Sequence, residues 1–163
     1  MALVALEAIV HTESPTGRRS IPIADFHLPP GDTPHIETVL DHDELITAVE
    51  LPKPAALWRS RYLKVRDRAS YEFALVSVAA LLDVSGGRIG GARIAFGGVG
   101  TKPWRAPRVE QILIGAEANN KVFRAAAERA IEGAAPRRHN RFKVELLKRT
   151  LIRTLEEITG AKI

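Results

Sequence analysis

Residues 44–98, ELITAVELPKPAALWRSRYLKVRDRASYEFALVSVAALLDVSGGRIGGARIAFGG, hold four strand-like runs and the densest group of polar residues between them. Glu44 to Leu51 reads as a strand closed by Pro52 and Pro54, because proline donates no ladder hydrogen bond. Arg59 to Val65 is the next, with Tyr62, Lys64 and Arg66 on one parity and Arg61, Leu63 and Val65 on the other. Ala74 to Val84 is apolar on both parities, the pattern of a strand covered on both faces or of a buried helix. Its β-branched Val76, Val78 and Val84, and the Ser85-Gly86-Gly87 turn leading to a strand from Ala92 to Phe96, favour a hairpin. The stretch therefore predicts a small antiparallel sheet with one crowded loop, Arg66-Asp67-Arg68-Ala69-Ser70-Tyr71.

Downstream of Pro103 the pattern turns helical. Pro107 suits a first helical position, Val109, Ile112 and Leu113 share a face, and Gly115 stops the helix. Asn119 or Asn120 can cap a second helix in which Val122, Phe123, Ala126, Ala130 and Ile131 recur at spacings of three and four. The last and longest helix, about Asn140 to Thr159, carries an apolar stripe of Phe142, Leu146, Leu147, Leu151, Leu155 and Ile158. Upstream, Leu3 to His11 and Ser20 to Ile23 form a hairpin around Ser14-Pro15-Thr16-Gly17, with no obvious sheet to join. Phe26 to Pro34 is a boundary loop. The fold class is α+β: a small antiparallel sheet followed by a three-helix bundle, preceded by a hairpin.

Composition narrows the chemistry. The 163 residues include no cysteine, which excludes disulfides, thiolate-held iron–sulfur clusters, cysteine nucleophiles and Cys-based zinc sites. The five histidines are isolated and no pair has metal-ligand spacing, so no metal site is expected. The formal net charge of +5 is spread among acids and comes with no nucleic-acid motif, so nucleic acid is not an expected partner. No apolar run reaches the roughly 18–20 residues of a membrane span, and a cytoplasmic protein is expected. Nucleophile elbow, Walker loop and dinucleotide fingerprint are all absent, and no catalytic constellation stands alone. Arg66-Asp67-Arg68 fits either an anion or cofactor contact or a solvated ion-pair cluster. Tyr71 and Phe73 either cover an aromatic cofactor or close the sheet's core, and residue chemistry alone favours the core.

The run SRYLKVRDRASYEFALVSVAALLDV (60–84), the run ARIAFGGVGTKPWRA (92–106) and the helix HNRFKVELLKRTL (139–151) resemble the flavin-binding medium subunit of the molybdenum hydroxylases. That family covers xanthine, aldehyde and carbon monoxide dehydrogenases. The likeness is to the C-terminal part of the subunit. It implies that residues 1–30 are the end of the FAD-binding domain with its linker, and that residues 38–163 are a separate C-terminal α+β domain. The glycine-rich FAD pyrophosphate loops of the family are not in this sequence, which implies a shortened form of the subunit, inactive as an isolated chain.

In that family the subunit's FAD takes electrons from iron–sulfur clusters of a small subunit, which receives them from the molybdopterin large subunit, and passes them to an acceptor. The resemblance implies that the C-terminal domain closes over the flavin ring. Ile46 and Lys64 would be flavin contacts, and Tyr71 or Phe73 would lie over or beside the ring. The alternative is a non-catalytic module that docks onto other subunits through its basic surface.

Overall fold

The computed structural model describes residues 1–53 and 58–160. Pro54, expected to help close a strand, lies outside the described residues, as does 161–163 at the end of the expected C-terminal domain. Two antiparallel sheets are present. The larger has the order β4-β5-β6-β7, formed by β4 (Trp58–Val65), β5 (Val76–Ser85), β6 (Arg88–Gly97) and the two-residue β7 (Trp104–Arg105). The smaller has the order β2-β1-β3, formed by β1 (Ile9–Ser14), β2 (Gly17–Pro22) and β3 (Leu45–Glu50).

β5 and β6 form the expected hairpin. Ser85 pairs with Arg88, leaving a two-residue loop in which Gly86 and Gly87 both have positive φ, 55° and 76°. That backbone matches the twist of the flanking strands, and glycine adopts it without a Cβ penalty. The double-parity apolar pattern of β5 also has its physical counterpart. Val76, Val78, Ala80 and Leu82 face one way and join Ile94 and Phe96 of β6 in the larger core. Ala79 and Leu81 face the other way and, with Ala95, join the smaller core.

The larger core is completed by three helices, α3 (Pro107–Leu113), α4 (Asn120–Ala130) and α5 (Phe142–Thr159). α3 lies against β6, α5 lies against β5 and β4, and α4 packs against both of these helices. Val109, Leu113, Phe123, Leu151 and Leu155 are buried there. Asn119 caps α4, its Oδ1 accepting from the Val122 amide at 3.1 Å. The stripe of α5 departs from expectation at both polarity limits. Phe142 is 52% exposed, because it opens the first turn beyond the sheet, whereas Thr150 and Thr154 are buried. Their hydroxyls donate one turn back to the carbonyls of Leu146 and Thr150, which makes burial of the oxygen tolerable.

The N-terminal segment differs most from the sequence reading. Ala2–Ala5 is a short helix, α1, where a strand from Leu3 was expected. Ala and Leu favour helix, and Ala5 and Leu6 donate to the carbonyls of Met1 and Ala2. The hairpin does have a sheet to join, because β3 pairs antiparallel with β1 and not with the larger sheet. α1, β1, β2 and a second short helix, α2 (Ile23–Phe26), then lay Val4, Ala5, Val10, Ile21, Ile23 and Phe26 on the face of the larger sheet opposite the helices. Charged groups fasten this contact. Glu7 pairs with Arg93 at 2.6 Å and with Arg105 at 3.1 Å, and Arg105 pairs with Glu110 at 2.5 Å. The Arg93 guanidinium also stacks 5.1 Å from the centre of the Trp58 ring.

Candidate functional site

Pairing across to β5 fixes which face each β4 side chain occupies. Leu63 stands opposite Val78 and Arg61 opposite Ala80, on the helix side, where Arg61 reaches Glu157 of α5 at 2.6 Å. Tyr62 stands opposite Ala79 and Lys64 opposite Ser77, on the side that carries the N-terminal segment. Over β5 and β6 that face is covered; at β4 Tyr62 remains 49% exposed. Lys64 is partly buried, and its ammonium donates to the Glu72 carbonyl at 2.5 Å. The charge is thus anchored at the foot of the crowded loop.

That loop is braced from within. Glu72 Oε2 accepts from the Arg68 amide at 2.8 Å, and the Arg68 guanidinium donates to the Tyr71 carbonyl. Tyr71 has φ 52°, a left-handed conformation uncommon outside glycine and costly for a bulky residue. Tyr71 and Phe73 are each 95% exposed, so neither closes the core. The sheet end is sealed instead by Val76, Val78 and Phe96. Arg66, Asp67 and Arg68 are exposed and form no ion pair among the described residues.

Ile46 lies in the other sheet. The register of β1 with β3 slips between His11, opposite Ala48, and Thr12, opposite Ile46, so that Thr47 is an extra residue, a β-bulge. The bulge places Ile46 and Val49 on the same face as Thr12 and Val10, the face whose Val10 packs on the larger sheet. Ile46 is 50% exposed there. The entry to β3 is held by Glu44, whose side chain accepts from Arg19 Nε at 2.7 Å, from the Thr12 hydroxyl at 2.5 Å and from the Asp41 amide at 3.0 Å. The Arg19 hydrogen bond, then that from Thr12, hold the Glu44 carboxyl down at about 2, while Glu44 in turn raises the Arg19 guanidinium.

Of the four residues singled out from sequence, the structure brings Lys64, Tyr71 and Phe73 together at one strand end and its loop, and sets Ile46 on the smaller sheet. Tyr62 and Glu72 were missed. Tyr62 shares the parity of Lys64, a signal the sequence does carry; the Glu72 contact depends on loop conformation and has none. The arrangement offers exposed aromatic and aliphatic side chains beside one anchored ammonium. Such a surface suits a flat, partly apolar ring bearing electron-rich atoms. Among the described residues no group of three or more His, Asp or Glu could hold a metal ion.

Comparison with known proteins agrees on both parts of the chain. Residues 61–158 match the CO dehydrogenase flavoprotein C-terminal domain, and residues 1–54 match the FAD binding domain in molybdopterin dehydrogenase. The aldehyde oxidoreductase FAD-binding subunit of Escherichia coli K12 is 47% identical over 159 residues, 96% of this chain and 46% of that one. Quinoline 2-oxidoreductase from Pseudomonas putida 86 superposes with a TM-score of 0.84 at 30% identity, over 97% of this chain and 54% of that one. Carbon monoxide dehydrogenase from Hydrogenophaga pseudoflava gives 0.86 at 27% identity, over 98% and 55%. Fold and sequence together thus define a flavoprotein domain of the molybdenum hydroxylase type. The chain belongs to the CO dehydrogenase flavoprotein C-terminal domain family. It spans about half the length of the curated relatives it matches. No described helix is long and apolar enough to cross a membrane.

Proposed function

We propose that this chain forms the C-terminal part of the FAD-carrying subunit of a molybdenum hydroxylase and helps to enclose FAD. The observation that carries the reading is the open aromatic surface of Tyr62, Tyr71 and Phe73 around an ammonium pinned by the Glu72 carbonyl. FAD, when bound, supplies the capacity to accept electrons from iron–sulfur clusters and hand them to an acceptor. The residues of this chain do the rest. Lys64 contributes positive charge beside the ring, which favours its reduced, anionic form. Tyr71 and Phe73 cover the ring or its edge and keep water away, and Ile46 packs against it from the smaller sheet.

In this reading residues 1–30 complete the FAD-binding domain and residues 38–163 form the domain that closes over the flavin. The partners are an iron–sulfur small subunit, a molybdopterin large subunit and the glycine-rich part of the FAD domain that grips the pyrophosphate. The assembled enzyme works in the cytoplasm, which cell fractionation tests. The match of residues 61–158 supports the second part, and that of residues 1–54, which takes in β3, carries the FAD-binding part beyond residue 30.

The experiment is a flavin-fluorescence titration of FAD against the purified chain, alone and with a separately made N-terminal FAD domain. Saturable binding is expected at least in the combined sample, weakened about tenfold, or about 1.4 kcal/mol, in Lys64→Ala. Equal binding with and without this chain, and no effect of Lys64→Ala, refutes the flavin reading and leaves a docking module.

A further inference from the structure

We propose that the cavity between the β6–β7 loop and the α4–α5 loop binds a planar aromatic ligand that carries a di- or polyphosphate, a ligand of the nucleotide class. The cavity measures about 600 Å³ and is bounded by Phe96, Trp104, Ile131, Arg137, Lys143 and Leu147, among others. That volume lies within the roughly 300–1,000 Å³ of small-molecule sites. Phe96 and Leu147 belong to the helix-side core. The cavity is therefore on the face of the larger sheet opposite Lys64, and its occupancy does not rest on the flavin reading.

Two kinds of surface meet here. One is aromatic and apolar: Trp104 is 57% exposed beside the buried Phe96 and Leu147, so an indole face is available for stacking at the mouth of an apolar floor. The other is cationic. Arg137 lines the cavity and forms no ion pair among the described residues, and its neighbours Arg138 and Arg141 are exposed and equally without one. Lys143 spends one N–H on the Gly98 carbonyl at 2.9 Å, which spans the cavity wall, and keeps its remaining donors. The one lining carboxylate, Glu132, is already engaged by Arg129.

Helix dipoles do not decide the sign. The first turn of α5 and the last turn of α4 both border the cavity, and their opposite ends offset each other. The excess of positive charge comes from side chains. A single carboxylate would neutralise only one of the two lining cations, Arg137 and Lys143, whereas a di- or polyphosphate matches both, with the Arg137 guanidinium binding its oxygens bidentately. The ring then stacks on Trp104.

The test uses the full chain with ADP as probe, followed by calorimetry and by indole emission, with inorganic pyrophosphate and adenosine as separate half-probes. Saturable ADP binding in the submillimolar range is expected, tighter than either half-probe. Arg137→Gln, which breaks no ion pair, should weaken it about tenfold, and Trp104→Leu should both weaken it and abolish the emission change. Lys64→Ala should leave it unchanged. Thermal melts check that each variant is folded. The proposal is overturned if ADP shows no saturation at millimolar concentration, if pyrophosphate binds as tightly as ADP, or if folded Arg137→Gln and Trp104→Leu both bind like the parent.

Discussion

Arg105 ties the N-terminal segment to the larger sheet and to α3 through two carboxylates. Its Nε and Nη2 donate to Glu110 at 2.5 and 3.1 Å, and its Nη1 reaches Glu7 Oε1 at 3.1 Å. Glu110 is nearly enclosed, with only 10% of its side chain exposed against 24% for Arg105, and its other donor is the Ile94 amide at 2.7 Å. Burial works against the Arg105 charge, yet hydrogen bonding and attraction from Glu110, then Glu7, raise its pKa above the ordinary arginine value. In Arg105→Met the packing volume survives while Glu110 keeps a buried charge with one donor. Removing one partner of a buried pair costs about 3–5 kcal/mol; exposure of a quarter of Arg105 lets solvent screen part of that, leaving about 2–3 kcal/mol. With a urea slope of about 2 kcal/mol/M, the midpoint should fall by about 1–1.5 M. Adding Glu110→Gln to Arg105→Met should recover at least about 1 kcal/mol, since a neutral amide still accepts from Ile94 and strands no charge. Urea unfolding followed by circular dichroism reads both. A single variant within about 0.5 kcal/mol of the parent, or a double variant no more stable than Arg105→Met, would refute the reasoning.

Glu44, held at about 2 against an ordinary 4.5, contributes stability that is fully present above pH 4.5 and is lost as pH falls toward 2. Glu44→Gln should therefore flatten the melting temperature over that window, and an unchanged acid limb would contradict the assignment. Gly98 has φ +74°, and a Cβ there would stand 2.6 Å from the Leu75 carbonyl oxygen, whereas one at Gly86, φ +55°, meets nothing within 4 Å. Gly86→Ala should cost about 1–2 kcal/mol and Gly98→Ala clearly more, judged by thermal melts of the soluble fractions. Leu151→Ala, in the fully buried part of α5, should cost about 2–5 kcal/mol, while Phe142→Ala, half exposed, should stay within about 1 kcal/mol.

What could be read from the sequence was whatever depends on local pattern. The β-branched residues of Val76 to Val84 and the Gly86-Gly87 turn tip an apolar run that could also be a buried helix toward a hairpin, and Pro107, Asn119 and the leucines of α5 mark their helices by capping and spacing. The partner of β3 was not legible, because nothing in Glu44 to Leu51 distinguishes pairing with β1 from pairing with β4; that choice is made by the distant Arg19 and Thr12 closing on Glu44. The exposure of Tyr71 and Phe73 was equally hidden. Aromatic residues next to a sheet ordinarily enter its core, and only the left-handed turn at Tyr71, braced by Arg68 and Glu72, turns them outward. The contribution of Lys64 to the candidate site came from the resemblance, while its anchoring by Glu72 came from the structure.

β5 gives alternate residues to two cores, and this separates the boundaries of kinship from the boundaries of cooperativity. The two family matches meet in the fifties of the chain, yet the side chains that the first contributes are buried on a strand that belongs to the second. Loosening either set strips one side of the same ten-residue strand. In hydrogen exchange the amides of Val78 to Leu82 should accordingly open last and together, as one foldon that takes in both ends of the chain.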